Sequence, residues 1–246
     1  MICSFVINFK PLEFGNKIKK YSLDKDIEYF LLNNGIDKKQ LKYITISNFL
    51  TKDREIEEEK NYSIRFSSID SKTTLEILKI FFYKRLTNET LKISNTTFLV
   101  SNIYHNNKYS KQLDLESFLE NPLKDEITIK FLTPTFYKVG SIFIGTEDSR
   151  YFFKNILTKF KRSSIGNQFN IGNLDFSKVE IKEKNIKKVY IKTFNIEAIQ
   201  GEITYKLVDN KDTKLKEMFN ILGYFSEFSG VGHGCNKGYG QAIYII

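Results

Sequence analysis

The feature that most limits the fold is the order in which the hydrophobic period changes along the chain. Cys3, Phe5, Ile7 and Phe9 alternate at period two, the pattern of a half-buried strand over 2–10. Ile27, Phe30 and Leu31 then recur at helical spacing over 23–33, with Ser22 placed to cap this helix and Asn33-Asn34-Gly35 to end it. Alternation returns at 42–49 (Ile44, Ile46) and at 62–68 (Tyr62, Ile64, Phe66), with the charged run KDREIEEEK at 52–60 read as a solvated loop between them. Leu75, Leu78, Phe82 and Leu86 predict a helix over 71–86 capped by Ser71, and a strand region over 91–104 closes the unit. The order is β-α-β-β-α-β, the ferredoxin-like split arrangement with an antiparallel sheet carrying two helices on one face.

The same order then begins again. Ile127, Ile129 and Phe131 mark a strand, and Phe152, Phe153, Ile156, Leu157 and Phe160 mark a helix. Strands follow at 188–197 and 202–208, then a helix over 212–228 with Leu215, Met218, Phe219, Leu222 and Phe225 inward, and a terminal strand through Ile243 and Ile245. Residues 163–187 fit no element and read as an insertion loop. The expectation is an α+β chain of two tandem ferredoxin-like domains, 1–120 and 125–246, divided near 118–125.

A chain of 246 residues is long enough to bury two cores without disulfide or metal staples. No apolar run approaches the roughly 18 to 20 residues of a membrane span. The opening MICSFVINFK alternates and meets Pro11, unlike a signal peptide, so the expected setting is the cytoplasm, without membrane association. Cys3 and Cys235 lie far apart with no Cys/His cluster around them, so free thiols, no metal and no cofactor are expected. The formal charge is 38 − 29 = +9, which suits an anionic partner. Only five of the basic residues are Arg, however, and the chain is rich in Ile, Asn and Phe, a composition that codon bias produces as well.

Five of the thirteen glycines crowd into GVGHGCNKGYG, from Gly230 to Gly240, between the last helix and the last strand. Glycine permits positive φ and lets backbone N–H groups approach an anion or another backbone closely. The run lacks the Gly-Lys-Ser/Thr ending of a phosphate loop and follows a helix rather than a strand. Two readings stand: an anion-binding loop, or a tight helix-to-strand crossover.

The helix leading into SGVGHGCNKGYGQ, the TPTFYK segment at Thr133 to Lys138 and the GEITYKL strand at Gly201 to Leu207 together resemble the CRISPR-associated Cas-six (Cas6) endoribonuclease family, within the RAMP proteins. The resemblance runs over essentially the whole chain. It implies two ferredoxin-like domains and metal-independent cutting of a CRISPR repeat by 2′-hydroxyl attack, giving a 2′,3′-cyclic phosphate and a 5′-hydroxyl. The implied partner is CRISPR repeat RNA, with subunits of an effector complex as further partners. The alternative within the same superfamily is a non-catalytic RNA-binding protein.

Family members often place a catalytic histidine in or just after the first helix, and this sequence has none there. Its histidines are His105, expected at the surface, and His233, inside the glycine loop. An imidazole titrates near neutrality, which makes His233 a candidate for proton transfer. The first-helix neighbourhood supplies Tyr29, Lys38, Lys39 and Lys42, and some members of the resembled family cut with Lys and Tyr instead of His. The expected RNA contacts are Gly230, Gly232, Gly234, Lys237, Gly238 and Gly240 of the loop, with Arg150, Lys154, Lys159, Lys161 and Arg162 on the outer face of RYFFKNILTKFKR.

Overall fold

The computed structural model describes residues 2–12, 23–50, 56–57, 60–93, 96–107, 109–169, 171–208 and 211–245. The expected Ser22 cap and most of the 52–60 run lie outside them. The chain divides into two compact units, one of residues up to Gln112 with Asn236–Gly238, the other of Leu113–Cys235 with Tyr239 onward.

In the first unit, β1 (Cys3–Pro11) precedes α1 (Leu23–Asn33), β2 (Ile44–Ile46), β3 (Tyr62–Ser68), α2 (Ser71–Thr87), β4 (Leu91–Ile93) and β5 (Thr96–Tyr104). The sheet runs β2-β3-β1-β5-β4 with every pairing antiparallel, the ferredoxin-like order with β4 added at one edge. The region expected as one strand at 91–104 is therefore a hairpin, β4 folding back on β5. The alternating residues of β1 and β3 all go inward, where Phe5 stacks on Phe66 and Phe66 meets Phe81 of α2. Helix α1 ends in a Schellman turn: Ile36 N–H donates to Leu31 and Gly35 N–H to Leu32, with Gly35 at φ +103°.

Helix α2 sits in a different rotation from the one expected. Asp70, not Ser71, is its cap, accepting from Thr73 N–H at 2.8 Å. Thr73, Thr74, Ile77 and Phe81 are its buried face, whereas Leu75 and Phe82 are exposed and Leu86 is 81% exposed. The helix carries apolar residues around most of its circumference, so spacing alone did not select the face.

In the second unit, α3 (Leu115–Leu119) precedes β6 (Glu126–Thr135), a hairpin of β7 (Tyr137–Val139) and β8 (Ile142–Ile144), and α4 (Ser149–Arg162). Strands β9 (Val179–Ile191) and β10 (Ile196–Leu207), helix α5 (Thr213–Ser229) and β11 (Ala242–Ile245) complete it. Its sheet runs β11-β6-β10-β9, again antiparallel and ferredoxin-like. Phe118 of α3 stacks on Tyr224 of α5 at 4.4 Å, which sets that helix in the second unit. The expected insertion loop over 163–187 is corrected from Val179 onward. Those residues begin a 13-residue edge strand, hidden in the sequence because most of its side chains face solvent. Among the described residues no helix is long and apolar enough to cross a membrane, and both cysteines are free and buried.

Candidate nucleic-acid interface

Two of the three segments that carry the resemblance, TPTFYK and the glycine loop, lie about 100 residues apart in sequence and are sewn together in the second unit. Gln241 N–H donates to the Thr133 hydroxyl at 2.9 Å, and its carbonyl accepts from Leu132 N–H. Gly240 N–H donates to the Pro134 carbonyl at 3.0 Å, and His233 N–H to the Phe136 carbonyl at 2.7 Å. The close approach explains the glycines. A Cβ on Gly232, at φ +81°, would lie 2.2 Å from the Phe136 carbonyl oxygen, and one on Gly240, at φ +63°, would lie 1.9 Å from that of Val231.

This stitching corrects part of the expectation for the loop. The N–H of Gly232 donates to Asn155 Oδ1 of α4 at 2.8 Å, so Gly232 and Gly240 spend their donors inside the protein. The tight-crossover reading therefore holds for this part of the loop. Gly230 ends α5 at φ +60°, and Gly234 and Gly238 also have positive φ. Lys237 is half-buried on a short 3-10 turn.

The five cations of α4 divide. Lys154, Lys161 and Arg162 are exposed. Lys159 turns inward: its Nζ donates to the carbonyls of Ser229 at 3.2 Å and Gly230 at 2.9 Å and lies 3.1 Å from Cys235 Sγ. It satisfies carbonyls left open at the end of α5 and places a positive charge at the negative end of the helix dipole. Its expected role as a free phosphate contact is corrected to that of a loop anchor. Arg150 is exposed but bonds Asp148, the α4 cap, through Nε at 3.1 Å and Nη2 at 2.6 Å. That contact holds the Asp148 carboxyl below the usual carboxylate range.

Beside this ladder opens a cleft of about 560 Å³ lined by the β7 residues Tyr137, Lys138 and Val139 and the α4 residues Arg150, Tyr151, Lys154, Asn155 and Thr158. Tyr137 and Lys138 belong to TPTFYK, so the motif marked this wall. Tyr151 and Asn155 were missed, because in the sequence they are two polar-edged positions on a helix read for its charges. Burial pushes the Tyr137 hydroxyl far above its ordinary titration range.

His233 is half-buried, with its ring 5.8 Å from Phe136, 5.4 Å from Phe143 and 5.9 Å from Phe194. Tyr29 lies exposed on α1. Lys38, Lys39 and Lys42 are exposed around a short 3-10 turn whose first N–H groups, those of Lys39 and Gln40, are held by Asp37. His105 is exposed after β5, as expected.

Each unit is a split β-α-β-β-α-β arrangement, and a glycine-rich loop precedes the last strand of the second. Residues 129–242 match the family model of the CRISPR-associated endoribonuclease Cas6. The match falls in the C-terminal part of the chain, and the whole chain shares the fold of solved Cas6 structures. A Cas6 product complex is 16% identical, with a TM-score of 0.81 over 100% of this chain and 99% of that one. Thermus thermophilus Cas6 is 17% identical, with a TM-score of 0.72 over 100% and 98%. A RAMP protein described as binding different RNA substrates is 15% identical, with a TM-score of 0.63 over 99% and 100%. No curated protein matches in sequence.

Proposed function

We propose that this chain is a CRISPR RNA-processing endoribonuclease. It binds the repeat of precursor CRISPR RNA and cuts it by attack of a 2′-hydroxyl on the adjacent phosphate. The new P–O2′ bond forms as the P–O5′ bond breaks, leaving a 2′,3′-cyclic phosphate and a 5′-hydroxyl. The family match supports this reading, and the observation that carries it is the cationic cleft set directly against the sewn loop. Exposed Lys154, Lys161 and Arg162 extend the positive surface along α4. Among the described residues no group of three or more His, Cys, Asp or Glu is placed to hold a metal, and the proposed reaction needs none. It needs a base for the 2′ proton, an acid for the 5′ oxygen and a cation for phosphoryl charge. His233, Tyr29 and the Lys38, Lys39, Lys42 group are the proposed sources.

A second reading, a non-catalytic RNA-binding RAMP protein or effector-complex subunit, is favoured by one specific observation. No histidine lies between Leu23 and Leu50, and the ring of His233 is boxed by three phenylalanines.

Incubation with repeat RNA in EDTA separates the two. The expected outcome is cleavage that persists under chelation and stops when the nucleotide before the cut carries 2′-deoxyribose; metal-dependent cutting to a 5′-phosphate overturns the mechanism. His233→Ala should lower the single-turnover rate roughly 100-fold while binding is kept. An unchanged rate, together with loss of cutting in Tyr29→Phe combined with lysine-to-alanine changes, transfers the chemistry to the first-helix group. A wild type that binds and never cuts selects the second reading.

A further inference from the structure

The geometry points to the cleft beside α4 as a binding site for one unpaired nucleotide, its base stacked on Tyr151 and a flanking phosphate held by Lys138 and Lys154. This rests on the reading of the chain as an RNA-processing protein and adds to it a discrete recognition point.

Size is the first reason. A volume of about 560 Å³ falls within the roughly 300 to 1,000 Å³ of small-ligand sites. It suits a nucleotide splayed from the strand, whereas a duplex keeps its bases stacked in the helix and is met along its backbone and minor groove.

The second reason is the division of the lining. Tyr137, Val139 and Tyr151 make an aromatic and apolar wall, while Lys138, Arg150 and Lys154 supply positive charge. Tyr137 is 3% exposed and lies behind Tyr151, with ring centres 5.8 Å apart and planes tilted by 39°. Tyr151 is thus the half-exposed ring of the lining, braced from behind, which is the arrangement a base-stacking platform needs. The charges are not equivalent. Arg150 is matched by Asp148, whereas Lys138 extends over the Phe143 ring with Nζ 5.8 Å from its centre and Lys154 is exposed.

The third reason is rigidity. Asn155 lines the cleft and accepts from Gly232 N–H, so the cleft wall and the glycine loop hold a fixed relation. A nucleotide in the cleft would register the strand against the loop. Stacking on a tyrosine accepts any base, so the site positions RNA without reading sequence.

The test is an abasic scan. A set of repeat RNAs, each with one abasic nucleotide, is titrated against wild type, Tyr151→Ala and Tyr151→Phe. One position should weaken wild-type binding by about 10-fold when its base is removed, within the range of base-aromatic stacking. In Tyr151→Ala, affinity for intact RNA should fall by a similar factor and that position should become silent, the non-additivity of a direct contact. Tyr151→Phe should behave as wild type. If thermal melting shows that Tyr151→Ala is unfolded, the exposed pair Lys138→Ala with Lys154→Ala is used. In that variant a neutral methylphosphonate beside the same nucleotide should have no further effect.

A Tyr151→Ala profile identical to that of wild type, or a scan with no sensitive position, overturns the site. The fate of the functional reading is separate, because wild-type affinity and cleavage ends are read in the same samples. Repeat RNA that is bound and cut while the scan is flat keeps the endoribonuclease and removes the cleft site. A wild type that binds no repeat RNA removes both.

Discussion

The two units share one topology and differ in how the chain leaves the second helix. In the first unit α2 ends on Asn88 in the left-handed conformation at φ 52°, its N–H bonded to Lys84, and the next strand starts at Leu91. In the second unit α5 ends at Ser229, and the chain takes twelve residues, stitched to 132–136 and anchored by Lys159, before β11 begins. Between its first strand and its first helix the second unit also carries the β7-β8 hairpin. The scaffold is plain where it only has to pack. It is elaborated at the two connections that meet, and the cleft opens beside them.

The largest effect should come from breaking the elaborated exit. Gly232→Ala puts a Cβ against the Phe136 carbonyl at a φ that L residues resist. The expected cost is about 3 kcal/mol or more, read as a large fall in melting temperature. Asn88→Ala in the plain exit should cost about 1 kcal/mol. Equal shifts for the two variants would mean the exits are equivalent.

Lys159→Met is a finer probe. It keeps the aliphatic stem and removes the ammonium from two carbonyls and from Cys235. Leaving such groups short of partners costs about 1 to 3 kcal/mol. The control is Lys154→Ala with Lys161→Ala, which should leave melting unaltered and reduce the salt dependence of RNA binding by about two counterions.

Acid should show the smallest contrast. Contacts with Lys182, Lys184 and Arg150 hold the carboxyls of Glu126, Glu147 and Asp148 below the usual range, and Lys84 does the same for Glu89 in the first unit. Each contribution is present above the unfolded carboxylate value near 4 and is lost as pH falls through the lower folded value. Melting temperature should hold down to about pH 4.5 and decline below about pH 4. Hydrogen exchange should show the second unit loosening first, and Lys182→Met with Lys184→Met should flatten the decline.

These contrasts also show what the sequence made legible. Cys3, Phe5, Ile7, Phe9 and Tyr62, Ile64, Phe66 announced their strands because one face of each is buried. β9 did not, because an edge strand of VEIKEKNIKKVYI puts most of its side chains in water and loses the alternation. Its lysines instead reach Glu126 and Glu147 on neighbouring segments. Helix α2 was legible as a helix and not in its rotation. Of the site, the glycine loop and TPTFYK were visible as motifs, but their hydrogen-bonded union was not, since bonds over about 100 residues leave no local pattern. The same limit made Lys159 look like its exposed neighbours. The helical position of Lys159 was readable, whereas the carbonyls waiting for its ammonium were not.

The sewing of 132–136 to 231–241 also fixes when the site can come into being. Thr133 and Gln241 are 108 residues apart, and contacts this distant in sequence form late because the loop between them must first be closed. On a ribosome adding about 5 to 20 residues per second, the first unit's sheet and β6 emerge seconds before Val231. A nascent chain stopped there would hold β6 without its partner β11 and α4 without the loop that Asn155 and Lys159 grip. The residues that line the cleft are made earlier, but its stitched border is completed only once the 231–241 segment has been added.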